Sequence, residues 1–121
     1  MIKIVYYENW FEDLDCWKKS IQLALQIYEI FDDRKDYWFK NQIQRAWISI
    51  SNNIAEWHER QTNKEFKQFL YIAKWSCWEV RNMLIIWNKL WYISDKDFNK
   101  LFDLSLEISK MLQWFIRSLN H

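Results

Sequence analysis

The chain of 121 residues contains no glycine and no proline. Average usage would supply roughly eight of the first and about six of the second. Without glycine there is no phosphate-cradling loop of the kind on which many nucleotide sites are built. Without either residue the usual turn punctuation is missing, so boundaries have to be found from caps and from breaks in hydrophobic period. Cysteine is scarce too: Cys16 and Cys77 are too few and too far apart for a disulfide framework, which points to a reducing cytosol and a cytoplasmic protein. Neither sign of charge dominates. With 17 Lys and Arg against 16 Asp and Glu the net charge is +1, so any attraction to nucleic acid or membrane has to come from a local patch. No stretch approaches the run of about 18 uncharged apolar residues that a transmembrane helix needs. MIKIVYY, followed by Glu8, lacks the apolar region of a signal peptide.

What is present is apolar and aromatic. Half the residues are hydrophobic, 27% are charged, and tryptophan occurs ten times. A chain of this length and composition can bury a core without disulfide or metal staples, and residues 1–121 are expected to form one domain. The surplus tryptophans are similar in number to the missing glycines.

Periodicity divides the chain into four amphipathic helices, about 13–31, 37–57, 63–90 and 95–119. The first is expected to bury Leu14, Trp17, Ile21, Leu25 and Tyr28, with Leu23, Ala24, Ile27 and Phe31 widening the stripe. The second carries Phe39, Ile43, Ala46, Ile50 and Ile54, with Gln42, Arg45, Ser49 and Asn53 in a polar stripe beside them. Thr62-Asn63-Lys64-Glu65 is a capping-box pattern, in which hydroxyl and carboxylate each satisfy a backbone donor at the start of the third helix. The apolar face then runs through Phe69, Leu70, Ala73, Cys77, Val80, Leu84 and Trp87. Ser94 can cap the fourth helix, with Asp95 and Asp97 complementing its dipole and Phe98, Leu101, Phe102, Leu104, Ile108, Met111, Leu112, Phe115 and Ile116 on its stripe. Short connections favour antiparallel neighbours, so the predicted fold is all-α, an up-down-up-down four-helix bundle. The residues before Glu12 are left irregular.

Catalytic or metal-binding chemistry finds little support. His58 and His121 are the only histidines, and neither has a second ligand at metal-binding spacing. The Glu-x-x-His pattern of di-iron bundles does not occur. Cys16 and Cys77 fall near apolar stripes, where a free cysteine acts as a small hydrophobe. No enzyme activity, cofactor or metal is expected. The charge is uneven, however. Residues 34–67 hold seven Lys and Arg against four acids, a net of +3, whereas residues 1–33 hold three against seven, a net of −4. Lys40, Arg45, Arg60, Lys64 and Lys67 are the candidate nucleic-acid contacts. The plainer reading of the same residues is a solvated face with helix-end charges. Gln42, Ser49, Asn53 and Glu56 form a candidate face for another protein or subunit.

The stretch Gln42-Ile43-Gln44-Arg45-Ala46, then Ser49-Ile50, Asn53-Ile54-Ala55-Glu56, Arg60, Lys64-Glu65-Phe66, Phe69-Leu70, Ile72-Ala73 and Ser76 resembles a bacterial four-helix-bundle family. Its founding members are encoded by intervening sequences within 23S ribosomal RNA genes. Asp13-Leu14 with Trp17-Lys18, Ile27-Tyr28, and Leu90 with Tyr92-Ile93-Ser94 extend the likeness over nearly the whole chain. The resemblance implies a homopentameric bundle without enzymatic activity. A related branch, the accessory variability determinants of diversity-generating retroelements, binds nucleic acid and a reverse transcriptase, and its members are more basic. By this route an RNA or nucleoprotein partner is expected, and no membrane. The alternative is a protein-interaction module that binds no nucleic acid.

Where the family pattern has glycine or another small residue, this chain has Trp38, Trp47, Trp57, Trp75 and Trp91, whereas Trp17 matches a family tryptophan. Glycine is thus expected to have been written as tryptophan, either by redesign or because a stop codon that some bacterial lineages use for glycine was read as tryptophan. Trp57 and Trp91 fall where helices should end and are expected to resist a left-handed turn, extending helices two and three. Trp47 and Trp75 are expected either to overpack the core or to form exposed apolar patches. Most tryptophans are therefore set aside from the candidate site.

Overall fold

A computed structural model describes residues 14–31, 37–59 and 66–118. The described residues form four helices: α1 (Asp15–Phe31), α2 (Tyr37–Glu59), α3 (Phe66–Lys89) and α4 (Asp95–Ser118). The ends agree with expectation to within a residue or two, except that the start of α3 and the Thr62–Glu65 capping box lie outside the described residues, as do the residues before Glu12. Each helix packs on two neighbours in the cyclic order α1, α2, α3, α4 and back to α1.

Cross-helix contacts fix the directions. Along α3 and α4, Lys74 meets Gln113, Arg81 meets Ser109 and Ser105, and Asn88 meets Asp95, so numbering rises on one helix as it falls on the other. Ser49 with Ser76, and Phe39 with Trp87, set α2 against α3 in the same opposed sense. The Lys19–Glu107 ion pair, together with a cleft shared by Asp15 and Trp114, does so for α1 and α4. These pairings are those of an up-down-up-down bundle.

The buried faces of α2, α3 and α4 are the ones periodicity selects: Ile43, Ile50 and Ile54; Leu70, Ala73, Cys77, Val80, Leu84 and Trp87; Leu101, Ile108, Leu112 and Ile116. In α1 the phase differs. Leu25 and Tyr28 are 63% and 54% exposed, and the buried face is instead Cys16, Ser20, Leu23, Ala24, Ile27 and Phe31. Two apolar stripes compete on this helix, and the one containing Ser20 goes inward; its hydroxyl donates to the Trp17 carbonyl at 2.6 Å, so burying it strands no polar group. Trp87 closes one end of the core. Its ring lies 4.0 Å from Phe31, 5.7 Å from Phe39 and 5.5 Å from Tyr92, each edge-on. Trp57 packs 5.0 Å from Phe115 between the last turns of α2 and α4.

The α1 phase separates two leucines that look alike in sequence. Leu84→Ala removes a side chain with no exposure and should cost about 2–5 kcal/mol in urea unfolding, whereas Leu25→Ala should change stability by no more than about 0.5 kcal/mol. Equal losses at the two positions would mean that Leu25 faces the core.

Candidate functional site

The five cations proposed for nucleic acid do not form one compact patch. Arg60 and Lys64 lie outside the described residues. Arg45 is exposed, whereas Lys40 and Lys67 are half-buried and engaged in local interactions. Lys40 and Arg45 are five residues apart on α2, which turns them about 140° from one another. Lys67 precedes Ser76 by nine residues, and Ser76 sits opposite Ser49, so Lys67 is level with the last turn of α2. That places it about 27 Å along the axis from Lys40.

The polar stripe of α2 borders α3. Ser49 Oγ and Ser76 Oγ are 2.8 Å apart, a hydroxyl–hydroxyl bond across the seam. Asn53 Nδ2 donates to the Ser49 carbonyl at 2.7 Å and to its hydroxyl at 3.0 Å. Ser49 and Asn53 therefore spend their hydrogen bonds inside the bundle. Gln42 is half-buried and Glu56 is exposed at the far end of the same stripe.

A second cluster, on α3 and α4, was not among the sequence candidates. Arg81 Nη1 donates to Ser109 Oγ at 2.8 Å and to Ser105 Oγ at 3.1 Å, and lies 3.4 Å from the Ser105 carbonyl. Ser105 Oγ in turn donates to the Cys77 carbonyl at 3.2 Å. About two turns earlier on α3, Lys74 Nζ donates to Gln113 Oε1. Both cations line a cleft of about 410 Å³ with Tyr71, Trp75 and Trp78. Arg81 also borders an adjoining cleft of about 490 Å³ with Trp78, Ile85 and Phe102. The signal in the sequence was the interleaving of Tyr71, Lys74, Trp78 and Arg81 at spacings of three and four, passed over because most tryptophans were set aside together.

The buried thiols are poor nucleophiles. Burial pushes Cys16 and Cys77 up to about 12, against an ordinary 9.0, so both stay protonated at neutral pH. Among the described residues no group of three or more His, Cys, Asp or Glu could hold a metal, and no helix is long and apolar enough to cross a membrane.

The tryptophans divide by site. Trp91 has φ 63°, the left-handed region, and is 90% exposed. Its N–H donates to the Asn88 carbonyl at 3.1 Å, and the Tyr92 N–H donates to the Trp87 carbonyl at 2.9 Å. Those two bonds, with the Trp87–Tyr92 ring contact, make the cap that ends a helix on a left-handed residue, a place glycine usually fills. The expected extension of α3 is therefore corrected: it stops at Lys89, because satisfying the last carbonyls outweighs the steric penalty at Trp91. In α2, by contrast, the helix runs through the buried Trp57 to Glu59. Trp47 is half-buried with its indole N–H buried and lacking an acceptor, while Trp75 is exposed and meets Trp78 edge-on at 5.9 Å. Trp38 is exposed beside Phe39.

The described residues form a four-helix bundle with hydroxyl, amide and guanidinium bridges between its helices. The chain belongs to the 23S rRNA-intervening sequence protein family, whose model matches residues 12–114. It is similar to the crystal structure of a protein of unknown function from the S23 ribosomal protein family of Bacteroides thetaiotaomicron. The two share 28% sequence identity at a TM-score of 0.77, over 84% of this chain and 97% of that one. No curated protein matches.

A left-handed tryptophan costs about 1–2 kcal/mol, so Trp91→Gly should raise the unfolding free energy by about 1 kcal/mol over both the parent and Trp91→Ala. Equal stability of the Gly and Ala variants would show that the backbone at residue 91 stores no such strain.

Proposed function

We propose that this protein is a non-enzymatic, oligomeric cytoplasmic scaffold or adaptor that engages RNA or a nucleoprotein partner. The observation that carries the scaffold reading is the number of large apolar side chains left on the outside of the bundle, Tyr37, Trp38, Ile72, Trp78 and Trp114 among them. Surfaces of that kind mark contacts with other chains. Membership of a family named for a ribosomal RNA intervening sequence supports RNA as the ligand class. Assembly into a ring, the pentamer implied by resemblance, would multiply the modest positive charge of each subunit. The near-neutral net charge of +1 favours a second reading, a protein-interaction module whose exposed end of the α2 stripe meets another subunit and which binds no nucleic acid.

We also propose that Trp91, and with it Trp38, Trp47, Trp57 and Trp75, stands where the functional chain has glycine or another small residue. Three features support this: the left-handed cap at Trp91, the orphaned indole N–H of Trp47, and the complete absence of glycine.

Light scattering on the purified protein should give a mass several times that of one chain. The same sample should carry excess absorbance at 260 nm that falls as salt rises, because released counterions drive phosphate binding. Replacing Arg45, Arg60 and Lys64 with Ala tests the original patch. An assembly free of RNA at low salt would select the protein-interaction module, and a monomer would remove the scaffold. For the tryptophans, the protein isolated from its source should have an intact mass lowered by the Trp–Gly difference at each replaced site. A mass matching the ten-tryptophan sequence, with ordinary tryptophan codons in the gene, would refute the replacement.

A further inference from the structure

Along the outward flank of α3, Tyr71, Lys74, Trp78 and Arg81 alternate aromatic ring and cation at spacings of three and four, so each neighbours the next on one face. Tyr71 and Trp78 are exposed, the latter by 63%. The two cations have neutral partners only: Lys74 donates to Gln113, and Arg81 to the Ser105 and Ser109 hydroxyls. Neither forms an ion pair with a carboxylate among the described residues. Glu79 borders the second cleft but is not paired with Arg81. The serine contacts hold one edge of the guanidinium and leave its charge uncompensated. On the α4 side, exposed Lys110 and Arg117 lie three residues before and four after Gln113, continuing the positive flank.

We infer that the groove along the α3 flank beside α4 binds single-stranded RNA, with phosphates on Lys74 and Arg81 and bases stacked on Tyr71 and Trp78. Uncompensated cations call for a polyanion. Aromatic rings interleaved with them call for a polyanion that carries flat, unstacked rings, which is a single strand rather than a duplex. An acidic peptide would answer the charges and leave the ring faces wet. The inference rests on the RNA reading above but moves the contact from the α2 patch to a different surface. Trp75 lines the same cleft and meets Trp78 edge-on, but no base or phosphate is assigned to it.

The test is fluorescence anisotropy of the full chain with a labelled single-stranded RNA of mixed sequence and with the same RNA annealed to its complement. Trp78→Ala should weaken single-strand binding about tenfold while Trp78→Phe retains it, because either ring can stack. Lys74→Ala should weaken binding and reduce the slope of log affinity against log salt by about 0.7, the contribution of one phosphate on a single strand. Loss of binding in Lys40→Ala with Arg45→Ala, with Trp78→Ala and Lys74→Ala unaffected, would overturn the groove and keep the RNA reading. A preference for the duplex would also overturn it. Unchanged RNA affinity with an altered oligomeric mass in Trp78→Ala would make the groove a contact between subunits. Absence of RNA binding by the parent chain at low salt would end both proposals.

Discussion

Trp87 is where the ends of the helices meet. Phe31 at the last residue of α1, Phe39 in the first turn of α2 and Tyr92 just past α3 all present rings to it, so one side chain ties two helices and a turn to a third. Its indole N–H is buried without an acceptor, a loss of about 1–3 kcal/mol. Removing a buried ring of this size costs about 3–5 kcal/mol, so packing wins over the stranded donor. The same ring contact explains why α3 ends as it does. Tyr92 reaches Trp87 only if the chain reverses at residue 91, and the two backbone bonds to Trp87 and Asn88 follow from that reversal. Ser94 then caps α4, accepting from the Asp97 N–H at 3.1 Å, and Asn88 donates to Asp95 at 2.9 Å, so the turn is pinned from both sides.

Between the two aromatic ends, small polar residues bridge the helices. Ser49 and Ser76 pair across α2 and α3, and Ser105 and Ser109 receive Arg81. A slip of one turn between α3 and α4 would cost the Arg81 guanidinium both hydroxyl acceptors, a loss that a seam of leucines would not register. The use of serine here has a consequence at the surface. With Arg81 anchored by hydroxyls rather than by a carboxylate, the helix pair is locked while the positive charge remains available to a ligand.

The helices were legible because hydrophobic period is a property of many residues at once, and a twenty-residue stripe survives a few exceptions. The phase of α1 was not legible, since Leu25 and Tyr28 advertise an apolar face as strongly as Leu23 and Ile27 do. The buried face includes Ser20, which reads as a polar position in sequence and is tolerated inside because its hydroxyl bonds to its own helix. The basic stretch from residue 34 to 67 read as one patch because it is continuous in sequence. Helical rotation and the antiparallel return of α3 separate Lys40 from Arg45 and from Lys67. Conversely, Lys74 and Arg81 lie in a stretch with little charge asymmetry, and only their rotation onto one flank with Tyr71 and Trp78 makes them a cluster. Charge counted along the chain measures neighbours in sequence, whereas binding needs neighbours in space.

The tryptophans show how much misfit a bundle of this kind absorbs. At residue 91 the left-handed conformation costs about 1–2 kcal/mol, set against a net stability for a domain of about 5–15 kcal/mol. The turn keeps its geometry because relaxing it would undo the Trp87 contact and strand the last carbonyls of α3, which together are worth more. At residue 57 the outcome differs: Trp57 is buried against Phe115, and α2 continues to Glu59. Tryptophan near a helix end thus goes with a left-handed turn where Tyr92 follows and meets Trp87, and with a continued helix where its own ring is buried against Phe115.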